Sequence, residues 1–160
     1  MSHAAVRAFI GDTAKAVKDT IQFGYGRTEE FNSKADNSRE CIWLDPLIFA
    51  AAFTNLGTNN LSITWNVAMF FYKFDSIGSI ETEYSKILDE TNQTLLKFVS
   101  LLNYNPGEST TDSIRTDNVL LSNFRGEPVI KVTKDYMTGW TLTFQITVPD
   151  TFDYCSIYDS

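Results

Sequence analysis

The chain of 160 residues is poor in the side chains that most often carry catalysis or hold metal ions. It has one histidine, His3, and two cysteines, Cys41 and Cys155. Histidine-based catalytic triads and zinc sites need more of these residues, so we expect neither. Two cysteines are too few for a disulfide framework, and both flank apolar segments, so we expect them to be buried, reduced thiols.

Other signals are also missing from the sequence. No apolar run approaches the roughly 20 residues that a membrane-spanning helix requires, and the start of the chain lacks the apolar segment of a secretory signal. The sequence has no phosphate-binding loop, dinucleotide fingerprint or calcium-binding loop. Carboxylates pair at 29–30 and 89–90, and Asp150 with Asp153 is the one conceivable calcium site. We therefore expect a cytoplasmic origin, no cofactor, no metal and no enzymatic activity.

A basic excess is absent as well. The chain has 13 basic and 20 acidic residues, a net charge of −7, which argues against a generic nucleic-acid binder. Residues 1–40 are balanced, with six groups of each sign, so the acidic surplus lies in residues 41–160. The surplus fits two interpretations: solubility, or an acidic surface that lets DNA pass without holding it.

Aromatic residues, in contrast, are abundant. The 12 Phe, 7 Tyr and 3 Trp residues suit either a large core or an association surface. Apolar residues spaced three and four apart predict helices over 3–22 and 79–103. Gly24 and Gly26 are expected to end the first helix. Two long polar stretches, 24–40 and 107–118, are expected to be loops or arms, and residues 149–160 form an acidic, aromatic tail.

Between the helices, alternation predicts strands at Cys41–Asp45 and Leu61–Phe74. The run "LIFAAAFTNL" fits either a helical turn or a strand. After the second helix we expect two strands, 119–124 and 128–134, joined by a turn at Arg125-Gly126. The alternating stretch "GWTLTFQITV" predicts a closing strand whose Trp140-to-Val148 face lies under the long helix. The whole chain, 1–160, is thus expected to be a single α+β domain: an antiparallel sheet with an N-terminal helix and one long helix packed on it.

This order of elements resembles that of the tail terminator and head–tail joining proteins of tailed bacteriophages, over about residues 3–150. The closing pattern "GWTLTFQITVP" also looks like the final strand of such small virion proteins. The resemblance implies a structural protein of the virion, assembled in the host cytoplasm, that forms a ring in the neck or upper tail. The implied partners are copies of itself and neighbouring portal, connector or tail proteins, with DNA passing through the channel without specific binding.

On that hypothesis, the polar stretches and the tail are the candidate contact segments. Loop length and composition alone select the candidate subunit-interface residues, which are Phe23, Tyr25, Arg27, Phe31, Phe152 and Tyr154. An alternative of another class fits the charge and the aromatic residues equally well. It is a small acidic cytoplasmic interaction or inhibitor protein that binds a basic partner.

Overall fold

The computed structural model describes residues 3–27, 39–54, 60–74, 81–103, 119–130 and 137–151. Within these ranges two helices and six strands form a mixed α/β structure. The helices are α1 (His3–Lys15) and α2 (Glu81–Asn103). The strands are β1 (Gln22–Tyr25), β2 (Cys41–Leu44), β3 (Ile48–Thr54), β4 (Asn60–Phe74), β5 (Leu120–Val129) and β6 (Met137–Thr151). They form one sheet in the order β1-β2-β4-β6-β5, with β3 also paired to β4.

The centre of the sheet is the long pair of β4 and β6. The two strands run antiparallel and stay in register from Asn60 opposite Thr151 to Phe74 opposite Met137. Their alternation sets the same face of both strands toward the helices, so that Met69 lies opposite Leu142 and Val67 opposite Phe144. The predictions of a long central strand and of an alternating closing strand are confirmed.

Both helices pack on this face. Phe98 of α2 is fully buried and its ring lies 5.4 Å from that of Phe71. The indole N–H of Trp140 donates to the carbonyl of Leu88 at 3.0 Å, which fixes β6 beneath α2. The remaining helix residues in this core are Val6, Phe9, Ile10 and Ala14 from α1 and Leu95 and Leu102 from α2. As the sequence predicted, the Trp140-to-Val148 face of the closing strand lies under the long helix.

The first helix is shorter than predicted, and Gly24 does not end it. Helix α1 ends at Lys15, and residues 22–25 form strand β1, whose backbone pairs in parallel with β2. Gly24 is needed because the Trp43 ring lies against its backbone: a Cβ atom there would be 2.4 Å from that ring. The sheet is therefore mixed rather than wholly antiparallel. The predicted loop at 24–40 begins later than expected, and its residues 28–38 lie outside the described residues.

The ambiguous apolar run forms a strand. Strands β2 and β3 lie one after the other along the same side of β4, both antiparallel to it. Pro46 lacks an N–H and separates them, while the Asp45 N–H still donates to the Ala68 carbonyl at 3.0 Å. Consequently β3 forms the outer edge of the sheet along the first half of β4.

The predicted turn at Arg125-Gly126 is wrong. Strand β5 continues through both residues, and the irregularity lies just before them, between Ser122 and Arg125. Two residues there oppose one residue of β6, which is the arrangement of a β-bulge. Asn123 accommodates it with a φ of 58°, in the left-handed region that asparagine tolerates better than most residues. The residues that predicted a turn therefore follow a bulge, and the chain continues in the same direction.

A smaller buried cluster occupies the other face of the sheet. Cys41, Trp43, Tyr72 and Met137 are each at most 5% exposed, with Phe70 beside them. The prediction that Cys41 is buried is confirmed, and Cys155 lies outside the described residues. Burial raises the pKa of the Tyr72 hydroxyl, and the neighbouring Cys41 raises it further.

Candidate assembly surface

The predicted interface residues occupy two kinds of position. Phe23 and Tyr25 lie in β1, half-buried against the core. The Arg7 guanidinium lies 4.8 Å from the centre of the Tyr25 ring, and the Lys15 ammonium 5.8 Å from that of Phe23. These two aromatic side chains therefore hold α1 to β1. Arg27 is exposed at the end of the same segment. Phe31, Phe152 and Tyr154 lie outside the described residues.

Among the described residues, the most exposed apolar surface is instead at strand β3. The exposed fractions of Ile48, Phe49 and Phe53 are 63%, 57% and 60%. No charged residue occurs from Leu47 to Thr54. Within the described ranges, no strand pairs with the outer side of β3. An uncharged apolar edge strand is a template for pairing with another chain.

The opposite edge of the sheet, β5, has exposed apolar residues and also features that prevent pairing with another strand. Leu120 is 62% exposed, and Phe124 and Ile130 are partly exposed. The second half of the strand carries Arg125 and Glu127, whose exposed side chains form an ion pair of 2.5 Å, followed by Pro128. Charges, a proline and a bulge are the features with which natural sheets prevent edge pairing. The apolar beginning of β5 lies before all three.

The two apolar edges lie at the same level across the sheet. Phe49 of β3 is paired with Trp65, Trp65 with Ile146 of β6, and Ile146 with Leu121 of β5. These four residues form one row across the four strands. The apolar part of each edge therefore lies at the same end of the sheet.

Between these edges, the face away from the helices is lined by neutral polar groups. The Asn123 amide donates to the Gln145 side chain at 2.8 Å, and the Gln145 amide donates to that of Asn66 at 3.0 Å. They border a shallow depression of about 410 Å³ that Asp45 and Thr143 also line. Burial raises the pKa of the Asp45 carboxyl. The side-chain amides of Asn123, Gln145 and Asn66 are thus joined in one chain of hydrogen bonds across this face.

A second polar group of residues stabilises the fold. The Lys18 ammonium lies 2.6 Å from Glu40, whose side chain is 12% exposed, and the Thr94 hydroxyl donates to the other carboxylate oxygen. The Arg39 guanidinium donates to the carbonyls of Thr20 and Ile21. These contacts join α2, the segment after α1 and the approach to β2. Among the described residues, no group of three metal-ligating side chains could hold an ion.

No family model matches the chain, and no curated protein matches it. None of the helices in the described ranges is long and apolar enough to cross a membrane. Sequence reasoning missed the β3 edge, although its signal, eight residues without a charge between Asp45-Pro46 and Asn55, was present.

Proposed function

We propose that this protein is a structural subunit of a tailed-bacteriophage virion that forms a ring in the neck or upper tail, as a tail terminator or head–tail joining protein. One observation carries the proposal: two different exposed apolar edges lie on opposite sides of the same sheet. A ring is built from heterologous contacts, in which one surface of a subunit meets a different surface of the next. The two edges supply such a pair of surfaces.

The exposure itself favours assembly. Burying what remains exposed of a side chain such as Phe49 or Phe53, now 57% and 60% exposed, is worth about 1–2 kcal/mol each. An edge strand that keeps such residues exposed is an aggregation site unless a specific partner covers it. A ring subunit has that partner in its own neighbouring copy.

The charge of the chain fits the same function. A net charge of −7 repels the phosphate backbone, so DNA passes through the channel without specific binding. The partners we propose are copies of the chain and the adjacent portal, connector or tail proteins. The protein then resides in the virion after assembly in the host cytoplasm, and its function requires no cofactor and no catalysis.

The mass of the purified protein in solution tests the proposal. Light scattering after size exclusion, across a concentration series, should give a discrete oligomer near six or twelve subunits. Leu96→Lys serves as a control for substitutions at the edges, because it adds a charge at a leucine of α2 that is 58% exposed and distant in sequence from both edges. It should assemble like the wild type. A protein that stays monomeric at every concentration and binds one basic partner tightly would instead support the acidic inhibitor alternative.

A further inference from the structure

We propose that consecutive copies join by strand addition: β3 of one copy pairs with the beginning of β5 of the next. The sheet then continues from copy to copy around the ring. This inference rests on the proposed ring function and identifies the two surfaces that build it. The partner is a second copy of this chain, and the contact is heterologous.

The strand directions are compatible with this pairing. β3 is antiparallel to β4, β4 to β6, and β6 to β5. Across these four strands the direction therefore alternates, and β3 runs opposite to β5. When a second copy is placed beside the first in the same orientation, its β5 is antiparallel to β3. The alternation continues across the contact without a break.

The positions of β3 and β5 along the strand direction are also compatible with this pairing. Phe49 and Leu121 belong to the same row across the sheet and lie on its helix face, since their partners Trp65 and Ile146 do. Joining two copies along this row requires no shift along the strands. A contact that repeats by rotation without translation closes into a ring when the rotation divides a full turn, whereas a shifted contact produces a helical filament.

The charges favour a second copy over a basic protein. Leu47–Thr54 and Val119–Asn123 contain no charged residue. Two copies of a chain with a net charge of −7 repel each other wherever their carboxylates meet, and this contact avoids that repulsion. A basic partner would find no complementary charge at β3.

The size of the contact predicts its strength. Side chains of this size at about 60% exposure present on the order of 100–150 Å² each, so Ile48, Phe49 and Phe53 of β3 together with Leu120 of β5 give roughly 400–600 Å². Specific interfaces bury at least about 1,200 Å² in total. Backbone pairing and flanking residues must supply the difference, so we expect a weak contact that multiplies around the ring.

The pairing is confined to the beginning of β5. Beyond Ser122 the bulge at Asn123 bends the strand, and Arg125, Glu127 and Pro128 follow. These features prevent pairing along the second half of the edge. The contact therefore has a defined extent and does not slide along β5.

Two lysine variants and their mixture test the contact. Ile48→Lys changes β3 and Leu120→Lys changes β5, at side chains that are 63% and 62% exposed, and Leu96→Lys on α2 is the control. Thermal unfolding should show that all three fold as the wild type does. If Ile48→Lys is unfolded, Ile48→Asn replaces it. Light scattering should show that each edge variant is monomeric, with at least tenfold weaker association, while Leu96→Lys assembles normally.

The mixture separates heterologous from isologous pairing. In an equimolar mixture, the intact β5 of Ile48→Lys meets the intact β3 of Leu120→Lys. Because this is a single weak contact, we expect a 1:1 heterodimer at the highest concentrations of the series, where neither variant alone forms a dimer. If Leu120→Lys associates like the wild type and the mixture gives no heterodimer, β3 pairs with itself and the inference is overturned. If the wild type and both variants all form rings, the proposed contact between β3 and β5 is wrong, but the ring function is still supported. A wild type that never associates overturns both.

Discussion

The two edges of the sheet differ in how readily another strand can pair with them. β3 presents Ile48, Phe49 and Phe53 with no charge or proline among them, and its own irregularity lies only between Phe49 and Ala51. β5 presents apolar residues at its beginning and then a bulge, an ion pair and Pro128. One edge is open and the other is protected over most of its length. The difference supports the proposal that the molecule uses its two edges selectively.

The largest loss of stability is expected in the core of α2, β4 and β6, because β4 and β6 carry the two edge strands. Phe98 is fully buried in the core of α2, β4 and β6, so Phe98→Ala should lower the free energy of unfolding by about 3–5 kcal/mol. Both edges should then lose their geometry together. Leu96→Ala, on the exposed side of the same helix, should change stability by less than about 0.5 kcal/mol. Urea denaturation measures both values, and equal losses would contradict the location of the core.

Two glycines show that packing is tighter at the centre of the sheet than at its edge. At Gly139 a Cβ atom would lie 1.9 Å from the Phe71 carbonyl oxygen, so Gly139→Ala should cost about 3 kcal/mol because the β4–β6 pair must move apart.

At Gly126, in β5, the nearest atom is 3.7 Å away, and Gly126→Ala should be neutral or slightly stabilising. Thermal unfolding of the two variants checks this. A harmless Gly139→Ala would mean that β4 and β6 are not closely paired at this position.

Removing the protection of β5 should change association rather than stability. Arg125 and Glu127 form an exposed pair, so Arg125→Gln with Glu127→Gln should alter the free energy of unfolding by less than about 1 kcal/mol. The neutral edge should instead associate more readily, with larger particles at equal concentration in light scattering.

The control neutralises Lys86 and Glu90 on α2 by the same two kinds of substitution, which also removes the ion pair of Glu90 with Lys73 of β4. It changes no edge and should leave the particle mass unaltered. If the two double variants behave alike, the charges on β5 do not protect that edge.

The smallest effect concerns Asp45, which lies between β2 and β3. Burial raises the pKa of its carboxyl above 3.8 in the folded protein, so folding favours the protonated form. The contribution of this group to stability is fully present below pH 3.8 and is lost as the pH rises through the folded-state pKa. Asp45→Asn should therefore slightly raise the melting temperature at neutral pH and lose that advantage below pH 3.8. An advantage that is largest in acid would contradict the burial of this carboxyl.

Much of the fold follows from local pattern. The alternation of β4 and β6 and the three-and-four spacing of α2 predict their elements because each pattern reports the burial of one face. The short strand β1 could not be predicted in this way. Its four residues gain their conformation from pairing with β2 and from the Trp43 ring above Gly24, both of which are distant contacts.

The assembly surface was only partly predictable for a related reason. The apolar run that became β3 is visible in the sequence, but its composition also suits a buried segment. Exposure depends on where the strand lies in the sheet, and that is a tertiary property. Likewise, Arg125-Gly126 carries a turn signal, and only the register with β6 reveals that a bulge at Asn123 takes the place of a reversal.

Electron micrographs of the purified wild-type protein, taken at a concentration where light scattering detects association, would show the shape of the assembly. We expect closed rings of uniform diameter with an open centre, because the two edges lie at the same level of the sheet. Isolated dimers or open filaments would contradict this expectation.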